Sequence, residues 1–172
     1  MIQPDSGAPT GSGITVCIID SGVHQTHEDL SSVQYTGGYP TGWNTDSCGH
    51  GSHVAGTIAC NYGTEASVNG AEIPHTLSGV APRANIVAYD ICYTNTATGQ
   101  GLCPNVSTVA SINQAVADGV DVINYSIGGG EQPWADPSSL AFLGAVDAGI
   151  YVAEVLGSAF SPALVDLFAR RL

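Results

Sequence analysis

Two short segments of the chain carry residues whose types could form a proton-transfer pair. Asp20 directly follows an apolar run, and His50 lies within the segment Gly-His-Gly-Ser-His-Val-Ala-Gly-Thr. A carboxylate that holds the Nδ1 proton of an imidazole fixes the tautomer of the ring and stabilises the imidazolium form. The other ring nitrogen is then free to take a proton from a hydroxyl. The two residues would therefore act as a general base, provided that the fold brings them together.

Four apolar runs are typical of buried strands in a parallel sheet, and helical patterns lie between them. The predicted strands cover residues 14–19, 86–91, 120–125 and 149–153. Helices are predicted over residues 50–61, from an N-cap at Ser107 to Gly119, and from Ser138 or Ser139 to Gly149. Strands that alternate with helices predict an α/β fold built from βαβ units.

The placement of the two residues fits this fold, although a metal site is an alternative. Functional groups of an open α/β sheet gather at the carboxyl ends of the strands, and Asp20 follows one such strand. His50 stands at the predicted start of a helix. His50 and His53, like His24 and His27, are also spaced so that they could share a helix face and bind a metal with a carboxylate. This metal-hydrolase hypothesis is disfavoured because the sequence has no His-Glu-x-x-His motif.

The composition limits the class of protein and its partners. A chain of 172 residues with 44% hydrophobic residues is sufficient for one globular domain with its own core. The formal net charge of −12 arises from 15 acidic residues against three arginines and no lysine. This balance argues against a nucleic-acid partner and against binding to an anionic membrane. No apolar run reaches the length of about 18 residues that a membrane span needs.

The five cysteines do not form a recognisable metal or redox motif. No Cys-x-x-Cys pair occurs, which argues against a zinc ribbon or a thioredoxin-like site. Cys92 and Cys103 flank a polar loop and could close it as a disulfide. Cys17 lies in an apolar run and is expected to be a small core residue.

The Asp20 and His50 segments resemble the first two catalytic blocks of the subtilisin-like serine proteases. Residues 78–84, Ser-Gly-Val-Ala-Pro-Arg-Ala, look like the Gly-Val-Ala-Pro segment of that family. Residues 118–129 are similar to the strand that forms one wall of its S1 pocket. The resemblance covers roughly residues 10–153. It implies a three-layer α/β sandwich with a mostly parallel sheet, incomplete at its C-terminal side.

The resemblance also implies a function and a set of site residues. A subtilisin-like serine endopeptidase hydrolyses peptide bonds of peptide or protein substrates through an acyl-enzyme. Asp20 would orient His50, and His50 would act as base and then as acid. Ser126, Ile127 and Gly128 would pair with the substrate backbone. The resemblance further implies a secreted protein, although the first residues show no signal-peptide pattern, and it makes calcium a possible cofactor.

Two departures from the family pattern concern the reaction itself. Without gaps, Ser158 falls where the family has the asparagine that donates to the oxyanion. The nucleophile block Gly-Thr-Ser-Met-Ala does not occur in the sequence. We therefore predict a peptidase domain over residues 1–154 that is truncated before the nucleophile and inactive alone, followed by a divergent tail with a short helix over residues 155–172. The alternative is a non-catalytic fragment that binds peptide or complements a partner segment.

Overall fold

A computed structural model describes residues 9–98, 101–128 and 135–154 of the chain. The strands are β1 (Thr15–Asp20), β2 (Gln34–Tyr39), β3 (Ser67–Val68), β4 (Ala71–Glu72), β5 (Asn85–Asp90), β6 (Tyr93–Thr94), β7 (Gly101–Leu102), β8 (Val122–Tyr125) and β9 (Tyr151–Glu154). The helices are α1 (His50–Ala59), α2 (Asn105–Asp118) and α3 (Pro137–Asp147), with a 3₁₀ turn at Glu28–Leu30. Five of the strands form a parallel sheet in the order β2-β5-β1-β8-β9.

Helices cover both faces of the sheet, so the described residues form three layers. Val16 and Ile18 of β1 are buried against one face, in a cluster that includes Val54 of α1. Cys17 and Ile19 point to the opposite face, where α2 and α3 pack. Successive side chains of a strand alternate between faces, so a strand apolar at every position is buried on both sides. The predicted α/β sandwich with a parallel sheet is therefore confirmed.

The four predicted strands correspond to β1, β5, β8 and β9, but both predicted helix caps were wrong. Helix α2 begins at Asn105 rather than after a cap at Ser107. Helix α3 is capped by Asp136, whose side chain accepts the backbone N–H of Ser139 at 2.9 Å. Neither Ser138 nor Ser139 has this role, because the carboxylate two or three residues earlier reaches the free N–H of the first turn.

Strand β2 was missed because its sequence, Gln-Tyr-Thr-Gly-Gly-Tyr, lacks an apolar run. It lies at an edge of the sheet, and its register against β5 shifts between Tyr35 and Gly37. At Gly38, a Cβ would lie 2.2 Å from the ring of Trp43 and 2.6 Å from the carbonyl oxygen of Ala88. The glycine therefore lets the indole ring pack directly on the strand.

Cys92 and Cys103 form a disulfide, which was one possibility for this pair. Both lie beside the short β6–β7 hairpin, next to the carboxyl ends of the central strands. Cys17 is buried in the core as expected. Among the described residues, no helix combines the length and the apolar character that a membrane span requires.

Candidate active site

Asp20 and His50 are in direct contact at the carboxyl edge of the sheet. Asp20 is the last residue of β1, and its side chain is 1% exposed, whereas that of His50, the first residue of α1, is 50% exposed. His50 Nδ1 lies 2.8 Å from Oδ1 and 3.0 Å from Oδ2 of Asp20. Because the carboxylate engages Nδ1, Nε2 is the ring nitrogen left for proton transfer.

The start of α1 lies unusually close to the turn after β1. A Cβ at Gly51 would be 2.0 Å from the carbonyl oxygen of Gly22 and 3.2 Å from Oδ1 of Asp20. The backbone N–H of Gly51 donates to the hydroxyl of Ser21 at 3.1 Å. Only a residue without a side chain fits here, so the helix can begin directly above the carboxylate.

A second carboxylate, Asp46, forms hydrogen bonds with both the turn after β1 and the start of α1. Its Oδ1 accepts the backbone N–H groups of Cys48 at 3.2 Å and Gly49 at 2.8 Å, and lies 2.9 Å from the hydroxyl of Ser21. Its Oδ2 accepts the backbone N–H of Ser52 at 2.8 Å and the hydroxyl of Ser52 at 2.7 Å. Partial burial raises the pKa of this carboxyl, but these hydrogen bonds together lower it below its ordinary value.

A third carboxylate, Asp90, ends β5 beside Asp20, with which it is in register. Burial raises the pKa of Asp90 above its ordinary value of 3.8, and the negative charges of Asp46 and Asp20 add to the increase. The N–H of Cys92 donates to Asp90 and opposes the shift. The edge of the sheet therefore carries several like charges in a small space.

Asp90→Asn is expected to raise the midpoint of thermal unfolding at pH 7 by up to about 2 °C. The pKa of this carboxyl is higher in the folded than in the unfolded chain, so its ionisation costs stability as the pH rises through the folded-state value. The advantage of the variant should shrink as the pH falls from 7 and wild-type Asp90 takes up its proton. Differential scanning calorimetry measures this, and an advantage that does not change with pH would contradict the assignment.

A cavity of about 250 Å³ opens beside the Asp20–His50 pair. Ser126 and Ile127, which follow β8, line it together with His50 and the Cys92–Cys103 disulfide. Gly128 is exposed and is not part of the lining. The structure thus brings four of the predicted site residues to one cavity, and Ser158 lies outside the described residues.

The profile of the subtilase family matches residues 11–163. The chain belongs to the subtilase family. It is 37% identical over 150 residues to the Minor extracellular protease Vpr of Bacillus subtilis (strain 168), covering 76% of this chain and 16% of that protein. It is 37% identical over 117 residues to Subtilisin-like protease SBT1.6 of Arabidopsis thaliana, covering 66% of this chain and 14% of that protein. The chain therefore spans about a sixth of the length of these relatives.

Solved protease structures share the fold. Fervidolysin from Fervidobacterium pennivorans, described as a keratinolytic enzyme related to subtilisin, matches with a TM-score of 0.61 and 28% identity, over 84% of this chain and 21% of that chain. The S218A mutant of the protease domain of PatA matches with a TM-score of 0.65 and 19% identity, over 87% of this chain and 52% of that chain. At the latter identity, the likeness concerns the fold alone.

Three polar residues of this subtilase site were not predicted from the sequence: Ser21, Asp46 and Asp90. A signal existed for Asp90, because it ends an apolar strand next to β1 just as Asp20 ends β1. Asp46 stands four residues before His50, within the loop that leads into α1. Because the N-cap of α1 is Gly49, three residues later, no capping pattern marks Asp46 in the sequence.

The described residues of this subtilase include no group of three or more His, Cys, Asp or Glu side chains that could hold a metal ion. The rings of His24 and His27 touch edge to face, with centroids 6.2 Å apart, and His50 is engaged by Asp20. The metal-hydrolase alternative therefore gains no ligand set from the described part of the chain. The calcium that the family resemblance made possible stays a prediction.

Proposed function

We propose that this chain supplies the Asp–His pair and part of the substrate groove of a secreted subtilisin-like serine endopeptidase. The observation that carries the proposal is the contact of His50 Nδ1 with both carboxylate oxygens of Asp20, beside a cavity lined by Ser126 and Ile127. Peptides or proteins would be the substrates. The name of the relative Minor extracellular protease Vpr supports an extracellular location.

In this mechanism, His50 moves one proton in each direction. Nε2 takes the proton of a serine hydroxyl as the oxygen attacks the peptide carbonyl, and the imidazolium then gives it to the leaving amine, so that an acyl-enzyme forms. Water repeats the two steps and releases the acid. Asp20 stays ionised throughout and stabilises the imidazolium through Nδ1–H.

Substrate positioning falls to the segment after β8. Ser126, Ile127 and Gly128 follow a strand whose carboxyl end opens on the cavity, and their backbone would pair with an extended peptide. Ser158 would donate to the oxyanion from the position of the family's asparagine. Its hydroxyl is shorter than an amide, so we expect a weaker donor there.

These 172 residues contain no Gly-Thr-Ser sequence, so the chain tested alone should bind peptide without hydrolysing it. The division into a peptidase part over residues 1–154 and a tail over residues 155–172 stays a prediction. A purely peptide-binding role is the alternative. Binding would also fit a fragment whose nucleophile comes from another segment.

Two covalent probes test the proposal on the chain as it is. A fluorophosphonate, which needs an activated serine, should leave the chain unlabelled. Among the five histidines of the chain, a peptide chloromethyl ketone should alkylate His50 first, through the Nε2 lone pair and with loss of chloride, besides reacting with the exposed free thiol of Cys48 in the same cavity. Peptide mapping by mass spectrometry locates the adduct, and a competing peptide should slow its formation. Stoichiometric fluorophosphonate labelling would overturn the inactive state, and equal alkylation of all histidines would overturn the active-site assignment.

A further inference from the structure

We infer that Asp46 is a positioning residue for the Asp20–His50 pair and acts through the hydroxyl of Ser21. The inference rests on the proposed function, since it gives the pair its catalytic meaning. No contact joins Asp46 to His50 directly. The link runs through Ser21, whose backbone N–H donates to Asp20 at 2.8 Å and whose hydroxyl lies 2.9 Å from Asp46.

Asp46 binds three segments whose relative positions determine whether His50 contacts Asp20: α1, the loop before it and the turn after β1. Its Oδ2 receives the N–H and hydroxyl of Ser52 on α1, and its Oδ1 receives the N–H of Gly49 in the preceding loop. On its third side it contacts Ser21 in the turn after β1. A carboxylate at a helix start is also favoured by the free N–H groups and the helix dipole. Asp46 therefore fixes the position of α1 relative to the end of β1.

The single hydroxyl proton of Ser21 has two possible acceptors. Its Oγ lies 2.9 Å from Oδ1 of Asp46 and 3.2 Å from Oδ1 of Asp20, so the shorter contact favours donation to Asp46. The Ser21 oxygen meanwhile accepts from the N–H of Gly51 at 3.1 Å and faces the thiol of Cys48 at 3.4 Å. A hydroxyl surrounded in this way has one orientation rather than two.

In this orientation the hydroxyl of Ser21 does not donate to Asp20, so the carboxylate of Asp20 remains available as the acceptor for His50. Oδ1 of Asp20 then accepts only from the N–H of Ser21 and from His50 Nδ1, instead of also receiving the hydroxyl proton. Without Asp46, the proton of Ser21 would turn to Asp20 and compete with the imidazole. The hydrogen bond that holds the Nδ1–H tautomer would weaken, because acceptor strength is shared among donors.

The test is the tautomer of His50, read from long-range ¹H–¹⁵N NMR correlations of the chain at pH 8. Asp46→Ala, which removes both acceptor oxygens, should shift the ratio of Nδ1–H to Nε2–H tautomers about fivefold towards Nε2–H, the equivalent of one net hydrogen bond. Ser21→Ala, which leaves the bonds from Asp46 to α1 in place, removes the competing hydroxyl proton and should leave the ratio at its wild-type value. In the Ser21→Ala background, Asp46→Ala should no longer shift the ratio, because no hydroxyl proton is left to compete for Asp20.

Two variants separate positioning from stability and charge. Ser52→Ala removes the 2.7 Å bond to Asp46 Oδ2 and should lower the thermal midpoint without moving the tautomer ratio. Asp90→Asn removes a neighbouring charge that does not bond to Ser21, and it should also leave the ratio unchanged. A tautomer ratio that is unchanged in Asp46→Ala, or that shifts as far in the double variant Asp46→Ala/Ser21→Ala as in Asp46→Ala alone, would overturn the inference. These results do not depend on alkylation or hydrolysis, so they fail or succeed separately from the proposed function.

Discussion

Gly51→Ala is expected to displace the start of α1 and to separate His50 from Asp20. The added Cβ would lie 2.0 Å from the backbone carbonyl oxygen of Gly22, far inside van der Waals contact, and 3.2 Å from Asp20 on its other side. The nearer neighbour is backbone and Asp20 is buried, so the helix or the turn must move. Overpacking of a well-packed site typically costs about 1–3 kcal/mol, and we expect a loss at the upper end of this range because the clash is with backbone. Urea unfolding should show the loss of stability, and the His50 tautomer ratio should show the separation.

Gly56→Ala is the matched control on the same helix. A Cβ at Gly56 would meet no atom within 4 Å, so only the backbone preference changes. Alanine is favoured over glycine in a helix by about 0.5–1 kcal/mol, and the control should therefore gain stability. If both alanine variants changed the free energy of unfolding by similar amounts, the close approach of α1 to the turn after β1 would not be the cause.

The elements that position the site could be predicted where the sequence has a strong local pattern. The β1 run from Val16 to Ile19 is apolar at every position because helices cover both faces of the sheet. His50 and Gly51 are adjacent in a segment whose residue types match the family. A strand buried on both faces is apolar at every position, and a position without room for a side chain carries glycine. Strand β1 and the His50 segment could therefore be predicted from the sequence.

The remaining features depend on contacts between segments that are distant in the sequence. Strand β2 contains two consecutive glycines, one of which, Gly38, lies where Trp43 packs, so its pattern resembles a loop rather than a strand. Asp46 lies in a polar loop without periodicity, and only the folded chain shows that this residue joins Ser21 to α1. A single sequence gives no information on such pairings. The two helix caps failed for different reasons: polar residues compete near the start of α3, where Asp136 provides the cap, whereas α2 follows Pro104 and has no side-chain cap.

Asp20→Asn is expected to have the largest effect on the chemistry of His50. Oδ1 of Asp20 accepts the backbone N–H of Ser21 at 2.8 Å, and this donor requires an oxygen. The amide nitrogen of the variant would therefore take the place of Oδ2, which is 3.0 Å from His50 Nδ1. An NH₂ group at this position donates to an unprotonated Nδ1 and repels an Nδ1–H, so the ring proton shifts towards Nε2 even though Oδ1 remains an acceptor 2.8 Å from Nδ1. The ring would keep its position but lose the lone pair that accepts a proton.

Alkylation of His50 by a peptide chloromethyl ketone should reflect this change directly, because the reaction uses the Nε2 lone pair. In a serine protease triad, the corresponding exchange lowers turnover by about 10⁴ through the wrong tautomer, and we expect alkylation to fall by about 10² or more. Asp90→Asn serves as the control, since it removes a charge beside Asp20 without a bond to the ring. Alkylation that is equally fast in wild type and Asp20→Asn would mean that the carboxylate does not control the imidazole. Slow alkylation in both variants would instead point to the net charge of the sheet edge, because only Asp20→Asn changes the tautomer.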